Sequence, residues 1–148
     1  MIFADLSTDR IRDVHFDWDK ILSFEGETGP YLQYTHARAC SILRKTGNEN
    51  IENVNYSLLM EIEAKLLNIH MTNYQDILQK VILQNKPHIL ANYLIKLAQL
   101  FNEFYTKNKV INDDDKELEK ARLVLVDSVR QVLENGLNLL GIEAPEEM

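Results

Sequence analysis

"PHILANYLIKLAQLFNEFYTKN", residues 87–108, decides the fold. Ile89, Leu90, Tyr93, Leu94, Leu97, Leu100, Phe101 and Phe104 recur at three- and four-residue intervals, which gathers them into one wide apolar stripe on a helix. Pro87 suits the opening of that helix, because a missing N–H costs nothing in the first turn. A stripe this wide must be covered, and the rest of the chain supplies further helices. Leu58, Leu59, Ile62, Leu66 and Leu67 give a helical pattern over about Ser57 to Asn68. Another begins near Asn73 with Ile77, Leu78, Val81 and Ile82. "NDDDKE" places acidic residues where a helix dipole favours them. The last helix follows it, carrying Leu118, Leu125, Val129, Val132 and Leu133 and stopping near Gly141. Upstream, Thr28 or Gly29 caps a helix, Pro30 sits in its first turn, and Gly47 in "KTGN" ends it. Five helices with short links and no alternating strand pattern predict an all-α bundle.

Composition agrees. Of 148 residues, 45% are hydrophobic and 26% charged, with only 5 Gly and 3 Pro to interrupt regular structure, so one domain with a real core is expected. There are no repeats and no low-complexity tract. No apolar run approaches the roughly 20 residues of a membrane span, and no export signal opens the chain. Cys40 has no second cysteine to pair with, which fits a reducing compartment. The expectation is a cytoplasmic protein without a membrane partner. Residues 1–24 hold no sustained period and read as an irregular lead-in with one short helix, a connector ahead of a bundle at 25–148.

A net charge of −7 argues against nucleic acid bound over a broad surface, DNA included, and leaves room only for a small local patch. "GETGPYLQYTHAR", residues 26–38, is the candidate. At about 100° per residue, Tyr31, Tyr34, Arg38 and Lys45 fall within roughly 60° of one another, while Leu32, Ala39 and Leu43 form a separate face bordered by His36 and Cys40. Two tyrosines with an arginine one turn on suit unstacked bases and phosphate. The same spacing equally suits half-buried rings that bridge two helices with their hydroxyls wet.

"FDWDKILSFEGETGPYLQYTHARACSILRK", residues 16–45, resembles the passage from the catalytic domain of arginyl-tRNA synthetases into their C-terminal anticodon-binding bundle, the DALR domain. Residues 87–110 and "ARLVLVDSVRQVLENGLNLLGIEAPEEM", residues 121–148, are similar to that family's last two helices and tail. The likeness runs from about Phe3 to Met148 and is weakest over 46–86. It implies a module that docks on the anticodon stem and loop of arginine tRNA. The turn Phe24, Glu25, Gly26, Glu27, Thr28 and Gly29 would lie against the anticodon loop, with Tyr31, Tyr34 and Tyr105 stacking on bases and Met148 at the tail. Arg38, Gln33 and Lys107 are candidate contacts beside them.

Departures from the family pattern bear on the tail. "KARL" stands at Lys120–Leu123 in place of Asp-Ala-Leu-Arg, and "PEEM" in place of Pro-Glu-Arg-Met. Glu147 repels phosphate, so Met148 would act by apolar contact or through its carboxylate. Nothing in the chain resembles the HIGH-type or KMSKS-type motifs of class I synthetases. The resemblance therefore implies a C-terminal piece whose Met1 is internal or introduced. The missing catalytic domain is an intramolecular partner, and ATP and magnesium belong to it rather than to these residues.

Other residues carry weaker signals. His15, His36, His70 and His88 lack metal-ligand spacing. His36 reads as a satisfied structural histidine, and Gln33 as either a base reader or a solvated side chain. Asp113–Asp115 read as a helix cap rather than a cation site. Lys107 and Lys109 suit stem phosphates or a solvated helix end. From the residues alone, a protein-interaction bundle using the same tyrosines stays open. No constellation of nucleophile, base and oxyanion donors suggests a self-sufficient enzyme.

Overall fold

The computed structural model describes residues 2–9, 17, 19, 23, 26–47, 53–112 and 114–148. Its elements are α1 (Ile2–Ser7), α2 (Gly29–Lys45), a 3-10 turn (Tyr56–Leu58), α3 (Ile62–Thr72), α4 (Tyr74–Gln84), α5 (His88–Lys107) and α6 (Lys116–Leu139). Among the described residues there is no strand. The all-α bundle is the architecture observed.

α5 is the hub, packed by each of the other helices. Leu94, Leu97, Phe101 and Phe104 are fully buried, as the stripe at 87–108 requires. α6 lies against both α5 and α2 with Val126, Val129, Leu133 and Leu137 buried, and α2 contributes Leu32, Ala39 and Ile42. α1 packs on α5, and Phe3 sits in the common core, so this part of the lead-in shares the bundle's packing.

Helix ends follow their local chemistry. The Thr28 hydroxyl accepts from Tyr31 N at 3.1 Å, and Asp115 accepts from Leu118 N at 3.0 Å, each satisfying an N–H that the first turn leaves without a partner. Asp113 lies outside the described residues. At the end of α6, Ile142 N donates to Leu137 O at 2.9 Å and Gly141 N to Asn138 O at 3.0 Å, a Schellman closure that redirects the chain back along the bundle.

One helix differs from the sequence expectation. The run expected from Ser57 splits, and α3 starts only at Ile62. Asn55 caps the separate 3-10 turn by accepting from Ser57 N at 3.2 Å and Ser57 Oγ at 2.6 Å. Glu61 then stays extended (φ −61, ψ 142) with its carboxylate paired to Arg122 of α6, which holds the chain off a helical path. Consequently Ala64 and Leu67 are buried in α3, whereas Ile62 and Leu66 face water.

Candidate nucleic-acid interface

The tyrosines meet where α2 crosses α5. The Arg38 guanidinium carbon stands 4.8 Å from the Tyr34 ring centroid and 5.5 Å from that of Tyr105, so one cation faces the rings of two helices. Tyr34 is 40% exposed and Tyr105 41%. Tyr105 is backed by Phe101, with ring centroids 6.4 Å apart. These are the open, supported rings that stacking needs.

Tyr31 behaves differently. It is half-buried against the core, and its hydroxyl accepts from Asn102 Nδ2 at 2.9 Å. Of the two uses that spacing allowed, Tyr31 takes the helix-bridging one and Tyr34 the outward one. The difference follows from α5, whose Asn102 meets the Tyr31 hydroxyl.

Asn102 joins the cluster without having been singled out in the sequence. Its side-chain oxygen accepts from Arg38 Nη1 at 2.7 Å, and its amide also donates to Thr35 Oγ1 at 3.3 Å. An asparagine beside the apolar stripe, one turn before a tyrosine, was the available signal.

Two shallow cavities flank the Arg38–Tyr105 pair. One, of about 430 Å³, is lined by Tyr34, Arg38, Ser41, Tyr105 and Met148 among others. The second, of about 540 Å³, runs past Arg38, Lys45, Lys109 and Val110. Arg38, Arg44, Lys45 and Lys109 line the two together, against the single side-chain carboxylate of Glu147, which Arg44 pairs with. The local field is cationic although the chain carries −7. Arg122, buried in α6, supports this wall from behind by donating to Lys109 O at 2.6 Å.

The remaining expected residues divide. Phe24 and Glu25 lie outside the described residues. Gly26 has φ +86, a left-handed conformation that a side chain would strain, and Gly26 and Glu27 are exposed. Gly29 is buried, with Phe3 Cβ 3.1 Å from where a Cβ would stand. This turn begins α2, about 14 Å along the helix axis from Arg38. Gln33 Nε2 donates to Glu143 O at 2.8 Å, which ties this side chain to the segment after α6. Lys107 lines neither cavity; its ammonium is taken by Glu63 at 2.9 Å and Glu103 at 2.6 Å, whose hydrogen bonds raise its pKa. Glu147, expected to repel phosphate, is paired with Arg44. Met148 does reach the Tyr34–Tyr105 cavity.

Among the described residues no group of His, Cys, Asp and Glu is placed to hold a metal ion, and no helix is long and apolar enough to cross a membrane.

Comparison with known proteins gives a consistent result. The profile of the DALR anticodon binding domain matches residues 32–148. An arginine–tRNA ligase of Clostridioides difficile is 46% identical over 149 residues, covering all of this chain and 26% of the relative. Among solved structures, the arginyl-tRNA synthetase of Thermus thermophilus superposes with a TM-score of 0.89 at 34% identity. It covers 99% of this chain and 26% of its own. That of Plasmodium falciparum gives 0.86 at 32%, again over 99% and 26%. The chain thus spans about a quarter of the length of the relatives it matches.

Proposed function

Because the chain belongs to the DALR anticodon-binding domain family, in the form found in arginyl-tRNA synthetases, we propose that it docks the anticodon stem-loop of arginine tRNA on the face built by Tyr34, Arg38 and Tyr105. The observation that carries this is the Arg38 guanidinium set between two exposed rings, with Lys45 and Lys109 beside it. Unpaired bases stack on the rings at about 1–3 kcal/mol each, and the cations take the backbone. Gly26–Gly29 supply a second, polar contact at the start of α2.

In the longer proteins this docking would orient the tRNA so that its acceptor end reaches the catalytic part. Arginine activation with ATP and magnesium takes place there, in the cytoplasm. The residues described here serve that chemistry by presenting the tRNA to it. Their work is to bind and orient.

The test is fluorescence anisotropy of a labelled arginine-tRNA anticodon stem-loop titrated with this chain at several salt concentrations. Affinity is expected to fall as salt rises, with a log–log slope near −2 to −4 for three or four cations. No saturable binding, or an affinity indifferent to salt, overturns the proposal and favours a protein partner on the same rings.

A further inference from the structure

The segment after α6 returns along α2 and is held there by its carbonyl oxygens. Gln33 Nε2 donates to Glu143 O at 2.8 Å, His36 Nδ1 to Pro145 O at 2.8 Å, and Arg44 Nη2 to Glu146 O at 3.1 Å. Arg44 also pairs with the Glu147 carboxylate. At 100° per residue, positions 33, 36 and 44 lie within about 80° of one another on α2. From 33 to 44 the helix advances about 16 Å, and four extended residues from 143 to 147 span about 13 Å, so the tail runs beside α2 as a nearly straight strap. It ends with Met148 in the cavity of Tyr34, Arg38 and Tyr105.

The three contacts are unequal. Arg44 and Glu147 are exposed side chains, and such a pair contributes little. His36 is 1% exposed. A carbonyl only accepts, so Nδ1 carries the proton, while Cys40 Sγ packs against the ring 3.9 Å from Nδ1 and 3.8 Å from Nε2. Burial raises the Cys40 pKa, which keeps the thiol uncharged beside the ring. The imidazole is thereby fixed between a helix thiol and a tail carbonyl.

We propose that His36 and Gln33 are positioning residues for RNA recognition: they hold the tail so that Met148 completes the cavity of Tyr34, Arg38 and Tyr105. The inference rests on the reading of that cavity as the anticodon site. Neither side chain meets the RNA. Their contribution is to spare the tail an ordering cost at the moment of binding.

The test uses the full chain with methyl-labelled methionine, of which there are four, and the anticodon stem-loop as probe. His36→Phe keeps the ring volume and removes the donor. His36→Asn restores a donor where Nδ1 stands, and Gln33→Ala cuts the second tie at a half-exposed position without opening the core. Without RNA, the Met148 methyl is expected to be ordered in the parent and in His36→Asn, and mobile in His36→Phe and Gln33→Ala. With RNA, His36→Phe and Gln33→Ala are each expected to weaken binding by about three- to tenfold, and to add nothing when Met148 is already alanine. An unchanged methyl, or equal losses with and without the Met148 side chain, overturns the assignment. A freed methyl in a chain whose parent binds no stem-loop instead sinks the RNA reading beneath it, leaving the strap as a structural tie alone.

Discussion

The side-chain oxygen of Asn102 accepts from Arg38 Nη1 at 2.7 Å, so a residue of α5 aims the cation that α2 presents. The same amide donates to the Tyr31 hydroxyl at 2.9 Å, and one side chain thus fixes both a site residue and a bridging ring. Asn102→Leu is expected to free the guanidinium and weaken stem-loop binding by about 1.5–3 kcal/mol, the range for a hydrogen bond to a charged group. Anisotropy measures the loss. Circular dichroism should show the helices retained, because Asn102 is only partly buried.

Tyr34 and Tyr105 should separate from Tyr31 when each is cut to alanine. The first two are open to solvent over the Arg38 cation, and each substitution is expected to cost about 1–3 kcal/mol of RNA binding with little change in unfolding midpoint. Tyr31 touches the core and Asn102, so its removal should lower stability more than affinity. Urea unfolding and anisotropy on the three variants decide it. A large binding loss confined to Tyr31 would mean that the site lies elsewhere on α2.

Much of this was legible because it is periodic. The stripe at 87–108, the Thr28 and Asp115 caps and the stop near Gly141 follow from backbone chemistry within a few residues, and the structure repeats them. What the spacing of α2 left open was which of Tyr31 and Tyr34 turns outward. That depends on how closely α5 approaches, which is a tertiary quantity. The partners of Gln33 and His36, and the second partner of Lys107, escaped for a related reason: they are Glu143, Pro145 and Glu63, residues 110, 109 and 44 positions away. Side chains that bond across such distances leave no local pattern.

Gly136 lies in mid-helix, where alanine would ordinarily gain about 1 kcal/mol. A Cβ there would meet Leu94 Cδ2 at 2.5 Å and Cδ1 at 2.8 Å, and Leu94 is fully buried. Gly136→Ala is therefore expected to destabilise by about 1–3 kcal/mol, as overpacking does, by forcing α6 away from α5. Trimming the neighbour with Leu94→Ala in the same chain should recover part of that loss, whereas a simple sum of two penalties would show the contact to be unimportant.

Arg122 is 8% exposed, bonded to Glu61 through Nε at 3.1 Å and to Lys109 O at 2.6 Å. It ties α6 both to the start of α3 and to the loop that walls the larger cavity. Arg122→Ala leaves Glu61 without its cation and is expected to cost about 3 kcal/mol. Arg122→Met with Glu61→Leu should cost much less, because apolar packing replaces a buried pair. Equilibrium unfolding of both variants tests the ordering.

The link between α3 and α5 should be sensitive to acid. His70 stacks on Tyr93 with ring centroids 4.3 Å apart, its Nε2 donates to Tyr93 O at 3.0 Å, and the Tyr93 hydroxyl returns a bond to His70 O at 3.1 Å. Burial, against a smaller opposing effect of that carbonyl, pushes the imidazole below its ordinary value of about 6.5. The unfolded chain then binds a proton at a pH where the folded chain does not, so stability rises with pH in that window. The contribution is complete above about pH 6.5 and is lost as pH falls from there through the depressed folded value. His70→Gln, which keeps an N–H donor without a titrating group, should flatten the difference in urea midpoint between pH 7.5 and 5.5. A slope unchanged by that substitution would assign the acid sensitivity to other groups and leave His70 a packing residue only.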